Sequence, residues 1–342
     1  MSTTNMTSTL SSNKFAWLLK REFWEYRGAF FWAPAITAMV MLGIMLLVLI
    51  GAEFTAHQHG IQLGGMNLDR VVENVGAGNV DKVHSAIDIG LVGMSMPIGI
   101  VFCFVVFFYL LGALYNDRAD RSVLFWKSLP LSDTETVLAK VVAAALVAPI
   151  LATVAMAAMH LGFLILLSLY MLMHGIPSAL ALLWSPTHLI ALWLKMIVSI
   201  PVNAIWALPT IGWLLLCSSY VRSKPFIWAV ALPFIVLFLA WFVGLLRTMS
   251  LSVGWFWTQI IGRLLASVVP FGWMTKASFT ADQLNIGVGD GDDDLQIMHH
   301  VLSFDAIGRA LTMPSMWIGA AAGAAMIAAA IYFRRSRIES DA

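Results

Sequence analysis

Six apolar runs, at about 30–51, 89–114, 136–170, 188–217, 226–246 and 315–333, set the terms on which this chain can fold. A bilayer core of roughly 30 Å is crossed by about 20 mostly apolar residues in helical form, and all six runs come close to or exceed that length. With 60% hydrophobic and only 11% charged residues, the chain lies outside the balance of a soluble domain. The expected fold class is therefore an all-α polytopic membrane protein, one transmembrane domain over 1–342 with six transmembrane helices. The first run follows a basic segment, as a secretory leader would. It outlasts the roughly 7 to 15 apolar residues of a leader and no small-residue cleavage site follows, so it reads as a retained span. The third run is longer than a membrane needs, and Pro149 can kink it.

Basic residues orient the runs. Lys14, Lys20, Arg21 and Arg27 precede the first; Arg118, Arg121 and Lys127 lie between the second and third; Arg222 and Lys224 separate the fourth and fifth; Arg334, Arg335 and Arg337 follow the sixth. The alternate connections are poorer in Lys and Arg for their length, so the positive-inside rule places both termini in the cytoplasm. An external region is then expected at 247–314. Within it, "WFWTQIIGRLLASVVP" carries Trp257, Ile260, Ile261, Leu264, Leu265 and Val268 at helical spacing, with Thr258, Gln259, Gly262, Arg263 and Ser267 on the other face. That pattern predicts an amphipathic helix at the outer interface or dipping into the membrane; a seventh span is the rival, and would move the Arg334 cluster outside.

The interior excludes several functions. The acidic residues lie outside the runs or at their ends, as Glu53 and Asp88 do, so no carboxylate is placed to carry the coupling ion of a proton- or sodium-driven transporter. No Gly-Lys dipeptide occurs, so the phosphate-cradling GxxxxGK[ST] loop is absent, and neither HExxH nor GxSxG is present. The acidic "GDGDDD" at 289–294, followed by His299 and His300, lacks the EF-hand glycine and terminal glutamate and reads as a solvated loop. Cys103 and Cys217 sit in apolar runs as buried thiols. No metal, no cofactor bound by this chain and no nucleic acid partner are expected. In the fourth run, Lys195 either snorkels or offers a cationic contact in a substrate path, and Asn203, between Pro201 and Pro209, either joins helices or binds substrate.

Two polar segments remain. In "YNDRADRSVLFWKSLPLSDTE", residues 115–135, Asn116 or Asp117 is placed to cap a short helix running to about Lys127, which Pro130 stops. Ser132 with Glu135 then forms a capping box that starts the third span. The coupling of Phe125 and Trp126 to Arg118, Arg121 and Lys127 suits either an interfacial turn against headgroups or a knob for a partner's pocket. Upstream, over 13–28, Phe15, Leu19, Phe23, Tyr26 and Phe30 recur at helical spacing, and Ser12 or Asn13 is placed to cap the helix. Lys20, Arg21, Glu22, Trp24, Glu25 and Arg27 complete an amphipathic helix expected on the membrane surface, with Arg21 and Glu25 as an i,i+4 pair.

"LYNDRADRSVLFWKSLPLSDTETVLAK" resembles the cytoplasmic segment after the second span in a bacterial subgroup of ABC-2 type ABC-transporter permeases, and "LLKREFWEYRGAFFWAP" is similar to that subgroup's N-terminal motif. The resemblance implies a multi-pass protein of the bacterial inner membrane in which 115–131 is a coupling helix. That helix would contact a separate ABC ATP-binding subunit through Asp117, Arg118, Asp120, Arg121, Phe125, Trp126 and Lys127. It further implies a second permease chain, identical or not, and ATP with Mg bound by the partner ATPase. The expected function is export of an amphipathic, lipid-like or peptide/drug-like substrate, with Lys195 and Asn203 as candidate substrate-path residues. A membrane-embedded sensor or scaffold that recruits a cytoplasmic partner without transport is the alternative.

Overall fold

The computed structural model describes residues 3–58, 77–121, 131–176, 180, 183–184, 186–244, 248, 252–270, 272–273 and 303–340. All regular structure among them is helical. Helix α1 (Thr3–Glu25) is followed by α2 (Gly28–Gln58), α3 (Ala77–Ala113) and the short α4 (Tyr115–Ala119). Next come α5 (Asp133–Met173), α6 (Pro186–Tyr220), α7 (Pro225–Phe242), a short α8 (253–266), α9 (Phe304–Thr312) and α10 (Pro314–Ser340). Six helical stretches, in α2, α3 with α4, α5, α6, α7 and α10, are long and apolar enough to cross a membrane. They coincide with the six apolar runs, and the protein is a polytopic helical membrane protein.

Local sequence explains the helix ends. Ser132 and Glu135 form the expected capping box: Glu135 N–H donates to Ser132 Oγ at 3.1 Å and Ser132 N–H to Glu135 Oε2 at 2.9 Å, so α5 begins at Asp133. α1 starts at Thr3, upstream of the Ser12 or Asn13 cap read from sequence, because no Pro or Gly interrupts the Thr/Ser-rich stretch before it. α4 is likewise shorter than the helix expected to reach Lys127. It has Leu114, not Asn116 or Asp117, at its N-cap, and it ends at Ala119, after which Arg121 takes φ +56° and breaks the helical path. In α5, a π turn at Ala143–Val147 precedes Pro149 and absorbs the missing N–H that proline brings.

The bundle is centred on α6 and α10, which run side by side. A Cβ on Gly212 would strike the Gly323 carbonyl, and a Cβ on Gly323 would strike the Leu208 carbonyl, so the two backbones touch with no side chain between them. The small residues of the sixth span thus serve a contact within the chain. α2 and α7 lie at the periphery, with rows of exposed aliphatic and aromatic side chains on both. One buried cluster, including Val106, Leu110, Ala144, Ile211 and Leu214, fills the end of the bundle that carries α1 and α4, the near end. A second, with Leu91, Met159, Leu192, Trp206 and Ile307, fills the far end.

α8 enters from the far end. Arg263 C=O accepts from Thr210 Oγ1 at 2.9 Å and from Ser267 Oγ at 2.7 Å, and Ser267 N–H donates to Thr210 Oγ1 at 3.0 Å. Thr210 lies roughly 15 Å along α6 from Tyr220, so α8 reaches the middle of the apolar layer. The Arg263 guanidinium stacks 3.6 Å from the Trp206 ring centre and lies over Gly319, where no Cβ fits. Two residues read from sequence as a wet face, Arg263 and Ser267, are therefore buried in protein, while Trp257 is exposed. Polar groups on α6 and α10 replace water as their partners.

Backbone contact at the α6–α10 seam predicts that Gly323→Val lowers the thermal unfolding midpoint in detergent, at a cost of about 1–3 kcal/mol. Gly93→Ala in α3, whose Cβ would meet nothing within 4 Å, is expected to leave the midpoint unchanged or raise it. Equal effects of the two changes would refute the contact.

Beyond the far end of α5, His174 Nδ1 lies 2.8 Å from the Tyr170 carbonyl and Nε2 lies 2.9 Å from Glu53 Oε2. Both ring nitrogens face acceptors, an arrangement satisfied only by the imidazolium. The Tyr170 carbonyl, with Glu53 adding to it, raises the His174 pKa above its ordinary 6.5. A raised folded-state value means that the stabilisation is complete below about 6.5 and is lost as pH rises through the folded midpoint. NMR titration of isotope-labelled histidine is expected to give a His174 midpoint above 6.5 that falls in Glu53→Gln; a midpoint at or below 6.5 would contradict the geometry.

Candidate functional site

The polar residues of the near end converge on one buried ionic knot. Lys140, on α5, is fully buried, and its Nζ lies 3.1 Å from Glu22 Oε1, 3.3 Å from Glu22 Oε2 and 3.8 Å from Asp117 Oδ2. Glu22, on α1, is 1% exposed and also accepts from the Tyr109 hydroxyl of α3 at 2.8 Å. Asp117, on α4, accepts from Arg334 Nη1 of α10 at 3.2 Å, and Arg334 Nε donates to Asp133 Oδ1 at 3.1 Å. Arg21 lies 3.8 Å from Glu22 and 3.5 Å from Glu25. Carboxylates of Glu22, Asp117 and Asp133 thus meet the cations of Lys140, Arg334 and Arg21, with Glu25 at the exposed edge of the cluster.

This arrangement joins α1, α3, α4, α5 and α10. Burial of an ion costs several kcal/mol unless a partner and hydrogen bonds replace its water, and here Lys140, Glu22 and Asp117 are each paired and hydrogen-bonded. Nearby, Tyr26, between α1 and α2, packs edge-on against Tyr109 at 4.7 Å; burial, with Glu25, Glu22 and Asp117 adding to it, pushes its phenol up to about 12.

A second tie fixes α4 to α6. Arg118 Nη2 donates to the carbonyls of Ser218 at 2.6 Å and Val221 at 3.0 Å, a cation at the C-terminal end of a helix, where exposed carbonyls and the helix dipole favour it. Ser218 Oγ accepts from the backbone N–H of Leu114 at 3.0 Å and of Tyr115 at 2.9 Å, which satisfies amides at the start of α4. The root of the 115–131 segment is therefore bonded on one side to α6 and on the other to α5 and α10, with α1 reached through Lys140.

These contacts divide the residues singled out in the sequence. Asp117 and Arg118, expected to touch a partner, instead face into the bundle; Asp120 and Arg121 are exposed. Phe125, Trp126 and Lys127 lie outside the described residues, as do 289–294, His299 and His300. In α1, Lys20, Trp24, Glu25 and Arg27 are exposed, Arg21 is half-buried, and Glu22 points inward. An acidic side chain expected on the surface helix is thus drawn into the protein by Lys140. Lys20 Nζ lies 4.9 Å from the Trp17 ring and the Arg27 guanidinium 5.6 Å from the Trp24 ring, aromatic and basic groups paired on the exposed side.

Lys195 and Asn203 are not brought together. They lie roughly 12 Å apart along α6 at 1.5 Å per residue, and about 80° apart around it at 100° per residue. Lys195 is half-buried and Asn203 is buried.

Sequence reading missed Lys140, Arg334 as a buried partner, and His160. The signal was present: Lys140 and His160 both fall inside the third apolar run, where an ionisable side chain demands a partner. His160 has its own. Its Nδ1 receives the Trp193 indole N–H at 3.4 Å, which leaves Nε2–H to donate toward the Leu91 carbonyl at 3.0 Å and Ser95 Oγ at 2.8 Å.

Removal of one ion from this knot strands its partner. Lys140→Met is expected to cost about 3–5 kcal/mol, while Glu22→Gln combined with Lys140→Met costs less than the single change. Thermal or denaturant unfolding of the purified protein in detergent checks this, and additive effects would refute the pairing.

No family model, no curated protein and no solved structure matches the chain.

Proposed function

We propose that this chain is the membrane-spanning permease subunit of an ATP-driven ABC exporter of ABC-2 type. In this reading, ATP and Mg are held by a separate ABC ATP-binding subunit, and a second permease chain completes the transporter. The observation that carries the reading is the anchorage of α4: Arg118 and Ser218 bond it to α6, and Asp117 links it to Lys140 and Arg334. A push delivered to the segment beyond Arg121 would therefore reach α1, α5, α6 and α10 through short ionic and hydrogen-bonded contacts. Asp120 and Arg121, both exposed, supply charge at the start of that segment, and Phe125, Trp126 and Lys127 supply the apolar and cationic anchors for a partner's cleft.

α1 extends the same surface. Its exposed Trp24, Lys20 and Arg27 suit the headgroup layer, and its inward Glu22 ties it to α5. Both elements belong at the cytoplasmic face of the bacterial inner membrane, where the positive-inside rule puts them. The cargo is an amphipathic, lipid-like or peptide/drug-like molecule, since no carboxylate falls within the six apolar runs to receive a bare cation.

The test is ATPase activity of the ATP-binding subunit co-purified with this chain in lipid nanodiscs. Phe125→Ala/Trp126→Ala is expected to abolish association or to reduce stimulated turnover at least tenfold. Unchanged binding and turnover would leave both aromatics as lipid anchors and sink the reading. A partner without ATPase activity would favour the sensor or scaffold instead.

A further inference from the structure

A small cavity lies between α3, α5 and α6 near the middle of the bundle, where the two buried clusters meet. Phe102, Ala152, Met156 and Ile200 give it an apolar wall, and Pro270, on the turn after α8, closes it. Asn203 lines it as well. This side chain is only 7% exposed, and its Oδ1 is buried with no hydrogen-bond partner. The adjacent Ser199 hydroxyl is already donated to the Met196 carbonyl at 2.7 Å. Asn203, in the cavity wall, therefore carries an acceptor that nothing in the described protein satisfies, which is costly unless a donor arrives.

The backbone around it is irregular on two sides. α5 carries the Ala143–Val147 π turn and Pro149, and α6 carries Pro201 two residues before Asn203. Proline deprives the carbonyl four residues earlier of its helical donor, and such breaks persist at membrane depth where they border a cavity or protein rather than lipid. Interrupted helices facing one another are also how membrane proteins build binding sites from otherwise uniform apolar spans. One wall is a turn rather than a span: Pro270 lies 3.7 Å from where a Cβ on Gly99 would sit.

We propose that this cavity binds the polar end of an uncharged amphiphile, a hydroxyl or amide N–H that donates to Asn203 Oδ1 while its apolar part lies along Phe102, Met156 and Ile200. Among the described residues no charged side chain lines the cavity, so an ionic headgroup would enter without a counter-charge and is disfavoured. Thr153 adds a hydroxyl to the same space, which suits a ligand group that can also accept. The site is a property of the isolated chain and stands apart from the coupling reading.

The experiment uses the full chain alone in phosphatidylcholine nanodiscs, without nucleotide or ATPase, and a diazirine-bearing octan-1-ol as photoprobe. Peptide mass spectrometry is expected to find saturable adducts on Phe102, Met156 or Ile200, suppressed at least tenfold by excess octan-1-ol but not by octane. Asn203→Leu removes that saturable labelling. Ala152→Phe, which fills the cavity from the opposite wall with the amide intact, removes it too, so a misfolded variant does not decide the result. Label scattered over the exposed faces of α2 and α7 without saturation, equal competition by octane, or wild-type labelling in both variants would overturn the proposal. The first of these outcomes is what a cavity occupied only by water would give. Because no partner is present, failure here leaves the exporter reading untouched, and a failed ATPase test leaves this site untouched.

Discussion

Lys140 has to be neutral in effect at the place where α5 enters the apolar layer, and most of the near end follows from that requirement. Its ammonium is fully buried, so the ion is retained only because Glu22 and Asp117 reach it. Those carboxylates come from other elements, Glu22 from 118 residues away and Asp117 from the preceding helix, and each brings its own helix with it. Apolar contact could not do this alone, because in lipid one greasy face resembles another and supplies little preference for register. Charge pairing is directional, and it fixes α1, α4, α5 and α10 against each other at a single level.

The same comparison explains what could be read from sequence. The six spans were legible because length and apolar content report directly on membrane crossing, and the capping box at Ser132 was legible because its partners lie three residues apart. Glu22, Lys140, Asp117 and Arg334 were not, since pairing between residues 118 or 217 positions apart leaves no local pattern. Helical periodicity was a poor guide where the surroundings were polar. Asp117 and Arg118 read as surface charges but face Arg334 and the carbonyls closing α6, and Arg263 read as a wet residue but rests on Trp206. In each case the nearest solvent for the polar group turned out to be protein.

The far half of the bundle is held by different means. Neutral hydrogen bonds join α3, α5 and α6 through Ser95, His160 and Trp193, and the Thr210 hydroxyl holds the α8 backbone. Between these contacts the helices are interrupted by Pro97, Pro149 and Pro201. Each proline removes a backbone bond that would otherwise stiffen the segment, and kinks in membrane helices concentrate at such positions. The glycine contact between α6 and α10 is the exception: touching backbones leave little room for the two helices to separate gradually.

The two halves therefore differ in how they can yield to force. Separating the ions at the near end would strand buried charges, so that region resists being taken apart and is best displaced whole. Displacement of a firmly bonded end has to be absorbed where the chain bends easily, which is at the proline-interrupted stretches of α5 and α6. These same stretches wall the Asn203 cavity, so any motion delivered at α4 would change its shape before it changed the ionic knot. Under the exporter reading, that makes the far half the compliant part of the machine and the near end its rigid handle.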